Sequence, residues 1–154
     1  MQEQTKPAMA VEDFLTDQEK QQIVEAIKQA EKNTSGEIRL HVEKNCKAEV
    51  LDRAAYVFEK LKMHQTQLRN GVLFYLAIED RKFAILGDAG INARVPSDFW
   101  DATKELMVEK FKLGLMAEGL IAGILMAGEQ LKSHFPYQKD DVNELSDEIS
   151  FGKN

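Results

Sequence analysis

Apolar side chains recur along this chain with two different periods, and the alternation between them outlines the fold. Thr16 and Glu19 have the spacing of a capping box, in which each side chain closes the other's free backbone donor. Ile23, Ala26, Ile27 and Ala30 then share one helical face, so a helix is predicted up to about Lys32. In EIRLHVE, Glu37 to Glu43, Ile38, Leu40 and Val42 alternate with Arg39, His41 and Glu43, the period of a strand with one wet face. Leu51, Ala54, Phe58 and Leu61 restore helical spacing over about Glu49 to Met63. VLFYLAI, Val72 to Ile78, is continuously apolar and rich in branched and aromatic residues, as in a central strand covered on both sides. Glu79 to Arg81 interrupts it before Lys82 to Leu86, which predicts an antiparallel hairpin. Pro96 and Ser97 announce a helix with Phe99, Leu106 and Met107 inward, and Gly114 ends it. The last helix, about Met116 to Leu131, is apolar on most faces, and Gly119, Gly123 and Gly128 thin it for close packing.

These elements predict an α/β domain over residues 14–133, preceded by an N-terminal extension, 1–13. Residues 134–154, with Asp140, Asp141, Glu144, Asp147 and Glu148 among few large apolar groups, are expected to form a mobile acidic tail. The 154 residues, 44% hydrophobic, suffice for one core. A net charge of -6 and a pI near 5.2 exclude a dominant affinity for nucleic acid or anionic lipid and make cations the natural small partners. The single cysteine, Cys46, rules out an internal disulfide, and the first residues lack the basic start and apolar stretch of a secretory signal. A cytoplasmic location is therefore expected. The run Leu113 to Ala127, broken by Glu118, falls short of the roughly 20 residues that span a bilayer, so no membrane insertion is expected.

If the first two strands run parallel and the third returns antiparallel, the starts of two strands and the exit of the third meet at one sheet edge. Three loops then converge. They carry Thr34, Ser35 and Glu37; Arg69 and Asn70; and Gly87, Asp88, Gly90 and Asn92, while Asp80 and Arg81 fall at the opposite edge.

The order TSGEIRLHV, RNGVLFYLAIEDRKFAILGDAGI and FKLGLMAEGLIAGI resembles the TPM domain family, over Phe14 to Leu131. That family includes the thylakoid lumen protein of photosystem II repair and bacterial relatives often called TPM phosphatases. By motif, Ser35-Gly36 corresponds to the family's Thr-Gly, Arg69-Asn70-Gly71 to its Asn-Asn-Gly, and Asp80-Arg81 to its hairpin Asp-Arg. Gly87 with Asp88-Ala89-Gly90 stands for its Gly-x-Gly. The resemblance implies a three-layer αβα sandwich with a mixed central sheet of about four strands. It also implies, from the plant relative, an association with calcium and acid phosphatase activity.

The leading functional expectation is a divalent-cation site built from oxygen ligands, calcium favoured and magnesium the alternative. Calcium takes six to eight oxygens from carboxylates, amides, carbonyls and water, which flexible acidic loops supply. Glu37, Asn70, Asp88 and Asn92, with Asp98 and Asp101 one turn apart on the next helix, are the candidate ligands. The structural alternative has Asp88 capping a turn, Asp98 favouring a helix N-terminus and Asp101 solvated. Gly90 and Phe99 occupy positions where an EF-hand needs oxygen donors. Metal-dependent hydrolysis of phosphate monoesters is the second reading, with no catalytic residue assigned. Cys46 and Arg53 do not have the spacing of a cysteine phosphatase loop, and Cys46 reads as structural. A regulatory or protein-binding role, drawing on Phe99, Trp100 or the glycine-notched helix, is the third. His41, His64 and His134 lack the spacing of a zinc site.

Overall fold

The computed structural model describes residues 9–138 and 143–152. A short 3-10 turn, Val11–Phe14, leads into helix α1, Asp17–Glu31, which starts at the predicted capping box: Thr16 and Glu19 each accept the other's backbone N–H. Strand β1 is Glu37–Glu43, helix α2 Val50–Lys60 and strand β2 Gly71–Ala77. Strand β3, Lys82–Gly87, is followed by a single helical turn, α3, Ala89–Asn92. Helices α4, Asp101–Lys112, and α5, Met116–Leu131, complete the helical part, and Ser150–Phe151 form strand β4.

The sheet has the order β3-β2-β1-β4. β1 and β2 run parallel in register from Glu37↔Gly71 to Glu43↔Ala77, and β2 and β3 form the antiparallel hairpin from Val72↔Gly87 to Ala77↔Lys82. Helices α1, α4 and α5 cover one face, where Ile38, Leu40, Val42, Phe74 and Leu76 meet Ile23, Ile27, Leu120 and Ile124. On the other face α2 packs Ala54, Val57 and Phe58 against Leu73, Tyr75 and Ala84. This is the three-layer αβα sandwich with a mixed four-stranded sheet.

Three local departures from the sequence reading have physical causes. The helix expected at Pro96 begins at Asp101, because residues 97–100 form turns that seat Trp100 and Phe99, edge-to-face with each other, against the core. Of its predicted inward residues Met107 is buried, whereas Leu106 is only half-buried. The larger departure is the C-terminal segment. Residues 143–152 do not stand apart as a tail: β4 pairs in parallel with β1, and Leu145, Ile149 and Phe151 pack on the cores of the two faces. Those apolar groups, spaced among the acids, supply the burial that acidic composition obscured. Asp140 and Asp141 lie outside the described residues.

Two glycines mark backbone approaches that no side chain would tolerate. A Cβ on Gly90 would lie 2.5 Å from the Arg69 carbonyl oxygen, so the α3 turn seats directly on the chain entering β2. A Cβ on Gly128 would lie 2.8 Å from both Cα and Cβ of Ala30, which fixes how closely α5 sits on α1. Gly128→Ala is therefore expected to force the helices apart and lower unfolding free energy by about 1–3 kcal/mol. Urea denaturation measures it as a lower midpoint at unchanged m-value.

Candidate functional site

The parallel register places the expected loops at one edge. The Glu37 N–H donates to the Asn70 carbonyl (3.1 Å), and the Asp88 N–H to the Gly71 carbonyl (2.9 Å). Backbone convergence is as anticipated, but the side chains divide. Asp88 is buried, gripped by Arg69 through two hydrogen bonds of 2.8 Å, and accepts the Ala89 N–H at the start of α3. Its oxygens thus fasten the loops to one another. The Asn92 amide donates to the Gly87 carbonyl (3.2 Å), while Asp98 and Asp101 are exposed around the start of α4. The Asn70 amide donates to the Ser35 carbonyl (2.9 Å), and its buried Oδ1 has no hydrogen-bond partner. Among the described residues, no three His, Cys, Asp or Glu side chains form a preassembled metal cage.

Glu37 has different company. Its Oε1 accepts the Leu145 N–H at 2.6 Å, and burial together with nearby Glu144 pushes its carboxyl up to about 7. One helix away, Glu31 accepts the Ile38 N–H at 2.9 Å; burial and the neighbouring Asp147 carboxyl push it up to about 9. Glu31, Glu37 and Asp147 line a cleft of about 350 Å³ with Thr34, Ser35 and Asn143. Burial penalises each charged form, and a facing carboxyl adds repulsion, so these groups hold protons where exposed carboxylates do not. Of these six residues the sequence reading names neither Glu31 nor Asn143, and it places Asp147 in a mobile acidic tail rather than at a site. The signal missing there was the return of segment 143–152.

A second polar cluster fills the α2 side of β1. Arg39, His41 and Glu43 were expected on a wet face, yet Glu43 is only 1% exposed and His41 6%. β4, α2 and the returning segment cover them. Glu43 is gripped by Arg53 Nε (3.0 Å) and Nη2 (2.5 Å), and accepts the Tyr75 hydroxyl (2.5 Å). His41 Nε2 lies 3.1 Å from the same carboxylate, and His41 Nδ1 2.8 Å from Ser150 Oγ. Burial alone raises the Glu43 carboxyl, but hydrogen bonds from Arg53, Tyr75 and His41 outweigh it, and the net shift is downward. Burial lowers His41 against the pull of Glu43, so its imidazole favours the neutral form. Burial also pushes the Tyr75 hydroxyl up, aided by Glu43. Arg39 completes the row as a half-buried guanidinium whose buried Nε has no hydrogen-bond partner. Cys46, buried nearby, gives its thiol to the Ala48 carbonyl (3.3 Å), and its own N–H donates to Asp80 at the opposite sheet edge (2.6 Å).

No described helix is long and apolar enough to cross a membrane. No curated protein matches the chain. Among solved structures, the NMR structure of BA42 from the psychrophilic bacterium Bizionia argentinensis is 52% identical, with a TM-score of 0.87 over 92% of this chain and 98% of that one. The N-terminal domain of a P. gingivalis protein is 17% identical, with a TM-score of 0.65 over 80% of this chain and 82% of that one. An N-terminal domain from Corynebacterium glutamicum is 11% identical, with a TM-score of 0.62 over 100% and 93%. These last two likenesses are of fold. The family described as the TPM domain matches residues 9–130, four-fifths of the chain and every element from the first 3-10 turn through nearly all of α5. The chain belongs to the TPM domain family.

Proposed function

We propose that this TPM domain binds a divalent cation, calcium before magnesium, in the cleft between the end of α1, the start of β1 and segment 143–147. The observation that carries this reading is the pair of carboxyls, Glu31 and Glu37, each pushed up by burial and faced by Asp147 or Glu144. Lys28 and Lys32 also line the cleft, but neither holds these carboxyls ionised, and a divalent ion entering it displaces protons and relieves the repulsion between facing carboxylates. Calcium suits it because oxygen ligands at irregular angles, including the carbonyl and hydroxyl of Ser35, meet its coordination needs, whereas the buried Thr34 hydroxyl is engaged with the Phe135 carbonyl and the Gly36 N–H. Asn70 acts one step behind, holding Ser35 through the carbonyl bond. Of the six candidates, Glu37 is the direct ligand in this reading, and Asp88 and Asn92 keep the loop edge in shape. Asp98 and Asp101 lie outside it. Since the described residues form no finished cage, binding draws segment 143–147 inward, so occupancy is linked to the docking of β4. A regulatory role follows, in which the ion tunes the surface this segment presents to a protein partner. The phosphatase activity implied by the family resemblance would use the same ion to polarise a phosphate monoester.

Calcium titration followed by amide NMR is expected to shift Glu31, Ser35, Glu37 and 143–147 first, with a weaker response to magnesium. Shifts confined to Asp98 and Asp101 overturn the reading. A phosphate monoester assay on the calcium-loaded sample separates binding from turnover. The pH dependence has a definite sign. Both carboxyls have folded-state values above the 4.5 of the free side chain, so their contribution to stability is full below it. It is lost as pH rises, through about 7 for Glu37 and about 9 for Glu31. The ion-free melting temperature is expected to fall across that window, and calcium to restore it progressively more as pH rises. Glu31→Gln is expected to flatten the fall and weaken the calcium response, as followed by thermal denaturation in a pH series.

A further inference from the structure

The cluster on the α2 side of β1 has an order that burial alone does not require. Ser150 Oγ, His41 and Glu43 form a continuous chain: hydroxyl to Nδ1 at 2.8 Å, Nε2 to carboxylate at 3.1 Å. Glu43 is gripped by Arg53 and Tyr75 and accepts hydrogen bonds as a carboxylate, so the proton between it and His41 sits on Nε2. His41 Nδ1 then presents a lone pair, and the Ser150 hydroxyl donates to it. That is the arrangement of a nucleophile, a general base and a group that orients the base, recognised by geometry whatever the sequence order. Tyr75 stacks on the imidazole, with ring planes 15° apart, and helps hold it in place. β4 is the edge strand, so among the described residues no strand lies on Ser150's outer side, and the serine is half-buried. Arg39, two residues before His41 on the same face, is a half-buried guanidinium with an unsatisfied Nε. Its charge reaches the imidazole.

We infer that Ser150, His41 and Glu43 form a nucleophilic relay for carboxylic esters, with Arg39 as the donor to the acyl oxygen. As Ser150 Oγ bonds to the carbonyl carbon its proton passes to His41 Nδ1, and the oxygen that gains charge is received by Arg39. The bond from that carbon to the alcohol oxygen then breaks, and the alcohol leaves with the proton from Nδ1. Water reverses the sequence: it gives a proton to Nδ1, its oxygen bonds to the acyl carbon, and the carboxylic acid departs as Ser150 Oγ regains the proton. An acyl substrate fits better than a phosphate monoester. A dianionic phosphate calls for several converging cations, and here Arg53 is committed to Glu43. This inference is independent of the cation cleft, because none of its residues line that cleft.

The test uses the full chain with a fluorophosphonate probe, in which Ser150 Oγ displaces fluoride at phosphorus, and with p-nitrophenyl acetate. Intact mass and peptide mapping are expected to place one adduct on Ser150. Labelling is expected to fall more than tenfold in His41→Gln and severalfold in Arg39→Lys. Its rate should be level at neutral pH and fall only below the usual imidazole range. The groups facing His41 are Glu43, Arg53, Tyr75, Ser150 and Arg39, and burial outweighs the carboxylate's pull on the ring. Ser150→Cys keeps the side chain's size, guarding against a variant that merely unfolds. Its thiol should be alkylated by iodoacetamide faster than a free cysteine, and that excess should vanish with His41→Gln. Folded wild-type protein that gives no Ser150 adduct overturns the relay, as does ester turnover that survives Ser150→Ala. So does a Ser150→Cys thiol of ordinary reactivity, which leaves the cluster as a clasp for β4. An adduct that forms only with phosphate monoesters overturns the choice of acyl substrate.

Discussion

The parallel pairing of β1 with β2 is the constraint on which the rest of the molecule depends. Seven residue pairs, from Glu37↔Gly71 to Glu43↔Ala77, set both ends of the sheet at once. At one end the pairing brings the loops before β1 and β2 together with the exit of β3. At the other it places Glu43 where Arg53 from α2 and Tyr75 from β2 reach it. A slip of one residue would turn Ile38, Leu40 and Val42 toward α2 and drive Arg39, His41 and Glu43 into the apolar layer under α1 and α5. The continuous apolar run of β2 would tolerate such a slip; β1 would not.

The two polar clusters on β1 show how one strand face gives opposite outcomes for the same side chain. Glu43 and Glu37 are both buried glutamates on the α2 side of the sheet. Glu43 is surrounded by donors and by the Arg53 cation, so desolvation is offset and the carboxylate keeps its charge. Glu37 has backbone donors and a neighbouring carboxyl, which leaves desolvation dominant. Buried charge persists only where partners satisfy it, and removal of one partner leaves the remaining charge stranded. The ionised end therefore suits fixed hydrogen-bond geometry, and the proton-holding end suits exchange of protons for a cation.

Segment 143–152 joins the two ends. Leu145 closes over Glu37, Asp147 lies beside Glu31, Ser150 meets His41, and the Gly152 N–H donates to the Val42 carbonyl at 2.9 Å. Ten residues thus touch both clusters along β1, and a change at one end is felt at the other through a single short strand. The family match ends at residue 130, before this segment begins.

The sequence by itself determined the four longer helices and the three main strands, because their periods are local properties of the chain: 3.6 residues for a helix, two for a strand. The capping box at Thr16 and the apolar face of α1 appear in the structure as read. Parallel pairing followed from the chain connection, and with it the meeting of the loops at one edge. Tertiary structure alone decided which side chains are free once the loops meet. Asp88 and Asn92, chosen as oxygen donors, are engaged with Arg69 and the Gly87 carbonyl, whereas Glu31 gains its company from Asp147, 116 positions later in the chain. It also decided that Arg39, His41 and Glu43 lie under cover, since a polar face reads as wet until the element that covers it is known. One of the covering elements, β4, is a two-residue strand set among acids, too short to carry a period of its own.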